Sequence, residues 1–185
     1  MSTFSRRGFA LGALATTTLA ACGNGIGSRG SDRIDSRVNT TLTFMYDTYP
    51  GTRDLSEKAA GMLVMPLVTE AGFGLGGTYG RGALRIGDST VDYYAITGGS
   101  AGLQVGAQQY SHVLFFMTEE ALMDFRTSPG WALGADAEYA VKADGRNLRA
   151  ETTTSLAPVI AVIFAQAGLR VGATLEGTKY TRIIP

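Results

Sequence analysis

The stretch YYAITGGSAGLQVGAQQYSHVLFFMT, residues 93–118, decides how this chain is expected to fold, because it contains no aspartate, glutamate, lysine or arginine. A long uncharged run of this kind is typical of strands that are buried on both faces in the centre of a sheet. The glycines and glutamines within it, such as Gly98, Gly102 and Gln108, argue against a transmembrane helix. We therefore predict that central strands lie here.

A short motif, Ala-Gly-apolar-x-apolar-Gly-small, occurs at residues 71–77, 101–107 and 167–173. In a strand, its two apolar positions share one face, while the glycines and the variable position share the other. Glycine weakens a strand interior unless something approaches the backbone closely. The motif therefore indicates close packing of another element or a barrel corner, with a ligand groove as the alternative.

Further strands are predicted on both sides of this region. Residues 83–86 and 91–96 flank a turn-like cluster, Gly-Asp-Ser-Thr, and predict a hairpin. With Asp88-Ser89 as a two-residue loop, Arg85 would stand opposite Asp92, and their charges would pair across the strands. Alternation of apolar residues and turn signals predict the remaining strands, within 131–141, 158–164 and 169–184.

Two helices are predicted near the N-terminus. From Asp32 to Tyr49, apolar residues recur every three or four positions, which places them on one helical face. Pro50-Gly51 is expected to end this helix. Asp54, with Glu57 three residues later, resembles a capping pair that would start a second helix, which runs through Leu63 and ends before Pro66.

A third, short helix is predicted at 118–128, because Thr118 resembles an N-cap and two glutamates follow it in the first turn. The elements together predict an α+β fold. We expect a twisted antiparallel sheet or a partly closed barrel, with two N-terminal helices and one short helix near 118–128.

The N-terminus predicts export and lipid attachment. Arg6 and Arg7 precede a short apolar run, and Leu19-Ala20-Ala21 leads directly into Cys22, which together are typical of a twin-arginine signal and a bacterial lipobox. We predict a signal peptide at 1–21, lipidated Cys22 with a flexible tether at 22–31, and a folded domain at 32–185. The protein would face the periplasm, and Gly23-Asn24 favours the outer membrane, because the aspartate typical of inner-membrane retention is missing.

Composition limits the classes of function. Removing the signal leaves 14 basic and 16 acidic side chains, a net charge of about −2, which argues against nucleic acid as a partner. Cys22 is the one cysteine of the chain, so that neither a disulfide nor a cysteine metal site is expected. We predict no metal and no cofactor.

Two sequence patterns resemble catalytic or nucleotide motifs. Residues 72–77 satisfy G-x-G-x-x-G, but no helix is predicted after them, so that nucleotide binding is not expected. Residues 98–102 satisfy G-x-S-x-G around Ser100, which leaves a small serine esterase as a less favoured alternative. The single histidine, His112, lies within the next predicted strand, where a core residue is a better interpretation than a catalytic base or a metal ligand.

Basic residues supply the candidate lipid contacts. Lys142, Arg146 and Arg149 lie in a polar stretch that is expected to be a solvated loop, or alternatively a contact for anionic lipid headgroups. Arg81 and Arg85 serve equally well as candidates, as do Lys179 and Arg182 near the C-terminus.

Five ordered blocks, at 61–66, 71–80, 102–110, 116–122 and 175–180, together resemble the SYLF domain family. The resemblance implies a lipid-binding module without catalytic residues. Its eukaryotic members bind phosphoinositides and in some cases actin, and its bacterial members are often envelope lipoproteins. The eukaryotic members bind lipid through a basic N-terminal region, whereas residues 32–66 here balance basic and acidic side chains.

These patterns predict a membrane-anchored envelope lipoprotein whose SYLF-like domain binds phospholipid or another amphiphile without catalysis. The alternative is a scaffolding module that binds an envelope protein. We expect no actin partner for an exported bacterial protein, and no preference for phosphoinositides.

Overall fold

The computed structural model describes residues 29–132, 139–142, 157–168, 175 and 177–185. Three helices lie in these ranges, α1 (Gly30–Thr48), α2 (Gly51–Lys58) and α3 (Glu119–Thr127). The strands are β1 (Gly61–Ile86), β2 (Ser89–Phe116), β3 (Trp131–Ala132), β4 (Tyr139–Lys142), β5 (Val159–Gly168) and β6 (Thr178–Ile183). They form a curled half-barrel sheet, which confirms the predicted α+β class. None of the described helices is both long and apolar enough to cross a membrane.

Strand β2 is the centre of the six-strand sheet. Strand β1 pairs with one edge of it along nearly its whole length, while the other edge is shared by β6, beside Tyr93–Gly98, and β5, beside Gln108–Phe116. Strand β3 pairs with β6, and β4 with β5. Every pair is antiparallel except β4 with β5, which is parallel.

Around the C-terminal part of β2, both faces of the sheet are covered by apolar side chains. On the outer face, Val113 and Phe115 of β2 pack against the apolar side of α1. On the inner face, Leu114 and Phe116 pack with Phe125 of α3. All residues of β2 from Tyr110 to Phe116 are buried. The predicted burial is therefore confirmed for Tyr110–Phe116, which lie between two apolar layers. It is wrong for the middle of the uncharged run, where Thr97, Gly99, Gly106, Ala107 and Gln109 are exposed.

The N-terminal helices agree with the predictions in part. Helix α1 buries the predicted apolar face, and it begins at Gly30, two residues inside the segment that was expected to be tether. The predicted start and end of α2 are both wrong. Helix α2 begins at Gly51, so that Asp54 lies in its first turn and does not cap it, and it ends at Lys58, while residues 61–65 already belong to β1. These five residues are all buried, and so short an apolar run fits helical and strand periods equally well.

Helix α3 confirms its predicted boundaries and cap. The hydroxyl oxygen of Thr118 accepts a hydrogen bond from the backbone N–H of Ala121 at 3.2 Å. Leu122 and Phe125 point into the inner apolar cluster. The cap satisfies a backbone donor that the first turn leaves free, and the acids that follow complement the helix dipole.

The hairpin exists, but its predicted register is wrong. The two-residue loop is Gly87-Asp88 rather than Asp88-Ser89, and Gly87 adopts a φ of 55°, which glycine tolerates. A register shift after Leu84 places Leu84 opposite Asp92 and Arg85 opposite Thr90. The predicted pairing of Arg85 with Asp92 is therefore wrong. Asp92 instead contacts Arg126 and Arg182, each at 3.4 Å.

Strand β1 bends so that its two halves pack against each other. A Cβ atom added to Gly82 would lie 2.0 Å from the carbonyl oxygen of Val64, and one added to Gly80 would lie 2.7 Å from that of Leu67. Only glycine allows so close an approach of two backbone segments. This close packing involves Gly80 and Gly82, which lie outside the motif, whereas Gly77 within the first copy has open space and does not show the predicted packing.

The first two copies of the motif lie side by side in the sheet. Ala71 pairs with Ala107, and Gly72 with Gly106. The first residues of the third copy, 167 and 168, pair with β2 at positions 109 and 108, and the rest of that copy lies outside the described residues. Gly77 and Gly99 face each other across β1 and β2, and a Cβ atom on either would meet open space.

Candidate functional site

Helix α1 and the residue that precedes it, Arg29, present three exposed arginines on one side. Arg29, Arg33 and Arg37 follow one another at intervals of four residues, so that each lies about 40° around the helix from the last. Together with Asp32 and Ser36, they line one shallow depression. The buried face of α1 packs on the sheet, which leaves the arginines directed toward solvent. We call these three residues the arginine face.

The nearby acid Asp35 does not belong to this face. Its carboxylate accepts hydrogen bonds from the hydroxyl groups of Thr90 at 2.9 Å and Tyr93 at 2.8 Å. Burial, followed by the bond to Asp35, raises the pKa of Tyr93 to about 12. Basic and acidic side chains balance in the sequence of residues 32–66, but they are not evenly mixed on the surface. Asp35 is turned toward the hairpin, whereas the arginines are exposed.

The basic residues predicted as lipid contacts are not brought together in the described part of the chain. Arg81 donates from Nε to the hydroxyl oxygen of Tyr79 at 2.6 Å. Arg85 donates to the backbone oxygen of Asp88 at 2.6 Å and to the side-chain oxygen of Asn39. These two hydrogen bonds connect Arg85 to the turn and to α1. Arg146, Arg149, the side chain of Lys142 and the predicted lipidation site Cys22 lie outside the described residues.

The geometry around Ser100 and His112 differs from that of a serine hydrolase. Ser100 lies in the middle of β2, whereas a nucleophile elbow needs a sharp turn from a strand into a helix. The G-x-G-x-x-G pattern at 72–77 likewise lies within a continuous strand, β1. In the ranges that the structure covers, no group of three histidine, cysteine, aspartate or glutamate residues is placed to hold a metal ion.

His112 is fully buried on the inner face of the sheet. Its Nε2 lies 2.9 Å from the hydroxyl oxygen of Tyr180, and the two rings meet edge to face at 5.9 Å between centroids. Burial lowers the pKa of His112 to about 3, so that its imidazole is neutral at pH 7. A neutral, enclosed imidazole with a tyrosine partner matches the predicted core role of this residue.

Sequence reasoning missed the arginine face and the tyrosine partner of His112. The four-residue spacing of Arg29, Arg33 and Arg37 was a usable signal, since residues four apart share a helical face. No local signal pointed to Tyr180, which is 68 residues from His112 along the chain.

Residues 97–182 match the model of the Ysc84 family, described as Las17-binding protein actin regulator. Ysc84 is the SYLF domain, so the match confirms the SYLF resemblance over this range, which runs from the middle of β2 into β6. Three of the five resembling blocks lie wholly inside it. A comparison with curated proteins found no match.

Proposed function

We propose, on the premise that residues 97–182 belong to the SYLF or Ysc84 family, that this protein is an envelope lipoprotein whose noncatalytic domain binds phospholipid. SYLF domains form a family of binding modules for lipids or actin-related partners. Cys22 would carry the lipid anchor, and the domain would face the periplasm, with the outer membrane favoured. Export in a bacterium favours lipid over actin as the partner.

The arginine face is the observation that carries this proposal. Its three arginines and the neighbouring Asp32 carry a net charge of +2, although the mature chain as a whole is slightly acidic. Each basic residue near an anionic bilayer contributes about 1 kcal/mol of attraction. This surface therefore favours anionic headgroups over neutral ones.

The position of the arginine face also fits the proposed anchor. Cys22 lies seven residues before Arg29, and seven extended residues span at most about 25 Å. A lipidated Cys22 would therefore keep the start of α1 close to the bilayer. The tether raises the local concentration of headgroups around the arginines, so that even weak contacts are occupied.

The test is sedimentation of the mature chain with vesicles, using Cys22→Ser to remove the anchor. We expect binding to anionic vesicles that weakens with salt, and little binding to neutral ones. The double variant Arg33→Glu with Arg37→Glu should reduce binding at least tenfold. The matched control, Arg53→Glu with Lys58→Glu, makes the same change of net charge on exposed positions of α2 and should bind much more tightly than the α1 variant.

Three results would contradict the proposal or the observation that carries it. If the unanchored chain bound neither kind of vesicle while crosslinking in cells trapped an envelope protein, the scaffolding alternative would hold. If a fluorophosphonate labelled Ser100, the domain would be an esterase. Equal losses in the α1 and α2 variants would mean that only net charge matters and that the arginine face has no special role.

A further inference from the structure

The end of the β1–β2 hairpin carries exposed apolar side chains. Ile86 and Val91 flank the Gly87-Asp88 turn, with 36% and 39% of their surface accessible. Ile184, which follows β6, is 76% accessible. We call Ile86, Val91 and Ile184 the hairpin tip. Large apolar side chains at the extremity of a soluble domain expose hydrocarbon to water without any packing gain.

Strand pairing places the three residues at one end of the sheet. Tyr93 of β2 pairs with Ile183 of β6, so that Ile184 follows at the end of β6 that lies beside the start of β2. Two basic side chains accompany them, because Arg126 of α3 and Arg182 of β6 both contact Asp92 at 3.4 Å. Asp88 in the turn is exposed as well, so that these two arginines and two aspartates carry no net charge and both signs lie beside the apolar tip.

The start of α1 is bound to the same end. The carboxylate of Asp35 accepts hydrogen bonds from Thr90 and Tyr93 of β2. The amide oxygen of Asn39 accepts one from Arg85 of β1, so that α1 contacts both strands next to the turn. Gly30, where α1 begins, precedes Asp35 by about 7.5 Å along the helix axis. The chain therefore enters the domain at the end that carries the hairpin tip.

We propose that the hairpin tip is a second membrane contact, which inserts shallowly into the bilayer that holds Cys22. The inference rests on the proposed lipid anchor. Three features favour a bilayer: the short chain between Cys22 and Arg29, the exposed apolar side chains at this end, and Arg126 and Arg182 near them. Apolar residues flanked by basic ones are the composition of interfacial membrane contacts.

The test measures depth with a fluorescent label on the lipidated chain. Because Cys22 is the one cysteine and its sulfur is consumed by the thioether, an introduced cysteine is the only free thiol. Val91→Cys carries an environment-sensitive dye at the tip. Tyr79→Cys is the matched control, since Tyr79 is 50% accessible on β1 and lies seven residues, about 23 Å, before Ile86.

On vesicles that contain a quencher in the acyl region, we expect a blue-shifted and quenched dye at position 91 and a solvent-like, unquenched dye at 79. The double variant Ile86→Ser with Val91→Ser, made in the unanchored chain, should lower vesicle affinity several-fold relative to Tyr79→Ser. Equal, solvent-like emission at both positions on membrane-bound protein would overturn the tip contact alone. A chain that does not remain on vesicles at all would instead overturn the proposed anchor.

Discussion

His112 shows how one buried side chain ties stability to pH. Its pKa is about 3 in the folded protein because of burial, against about 6.5 when unfolded. Between these values the unfolded chain binds one more proton than the folded protein, so the free energy of unfolding rises with pH. The stability that the neutral imidazole contributes is therefore lost as the pH falls from about 6.5 toward 3. The contribution of one such group approaches about 1.4 kcal/mol per pH unit.

We therefore expect His112→Phe to flatten the dependence of stability on pH in this window, although it lowers stability at pH 7. Tyr180→Phe is the control, because it removes the hydrogen bond to Nε2 and leaves the titrating imidazole in place. Denaturant unfolding from pH 4 to 8 measures both slopes. A variant at position 112 with an unchanged slope would show that other groups cause the acid sensitivity.

Glycines of the same sheet should respond in opposite ways to one added methyl group. Gly82→Ala forces a Cβ atom to 2.0 Å from the carbonyl oxygen of Val64, so we expect a loss of about 3 kcal/mol or more. Gly99→Ala enters open space, and we expect a change between zero and a gain of about 1 kcal/mol. Denaturant midpoints compare the two. Similar losses at both positions would contradict the close packing of the two halves of β1.

At the scale of elements, each helix is stabilised in a different way. Helix α3 has a side-chain cap and acids in its first turn, and it closes the inner apolar cluster. Helix α2 begins at Gly51 without a side-chain cap, three residues before the predicted start at Asp54, and it ends seven residues before the predicted end at residue 65. Helix α1 depends on its buried face and on the bonds of Asp35 and Asn39 to the hairpin.

The cap of α3 is therefore a direct test of local stabilisation. Thr118→Ala removes the acceptor for the N–H of Ala121, and we expect a loss of about 1 kcal/mol. Thr118→Ser keeps the hydroxyl and should retain most of the stability. Thermal or denaturant unfolding measures both variants. Equal losses would mean that the methyl group of Thr118, rather than its hydroxyl, supports the helix.

At the scale of the whole molecule, the proposal combines a lipid anchor with two protein surfaces, the arginine face and the hairpin tip. Both belong to the end at which the chain enters the domain. A lipidated N-terminus would hold that end against the bilayer, where weak charge attraction and shallow insertion act together. None of these contacts needs a reactive side chain.

Removing the anchor should redistribute the protein in the cell. We expect Cys22→Ser to move the mature protein from the membrane fraction to the soluble envelope fraction after a high-salt wash, since salt screens the remaining arginine contacts. Gly23→Ser is the control that leaves the acylation site intact. Immunoblots of fractionated cells measure the distribution. Equal membrane retention of both variants in high salt would contradict lipid attachment at Cys22.

The sequence by itself determined the features that depend on local periodicity. The apolar faces of α1 and α3, the cap at Thr118, the hairpin near residue 88 and the burial of Tyr110–Phe116 in β2 all follow from neighbours within a few positions of one another. The SYLF resemblance was also available from short ordered blocks. These predictions succeeded because side chains two, three or four residues apart share a face in a regular element.

Only the tertiary structure decided the features that depend on register and distant partners. The turn at Gly87-Asp88 pairs Arg85 with Thr90 instead of Asp92, and the fold brings His112 to Tyr180. The carboxylate of Asp35 is directed toward the hairpin because it accepts hydrogen bonds from the hydroxyl groups of Thr90 and Tyr93. A shift of one residue reverses the face of every side chain in a strand, and local sequence patterns do not carry that information.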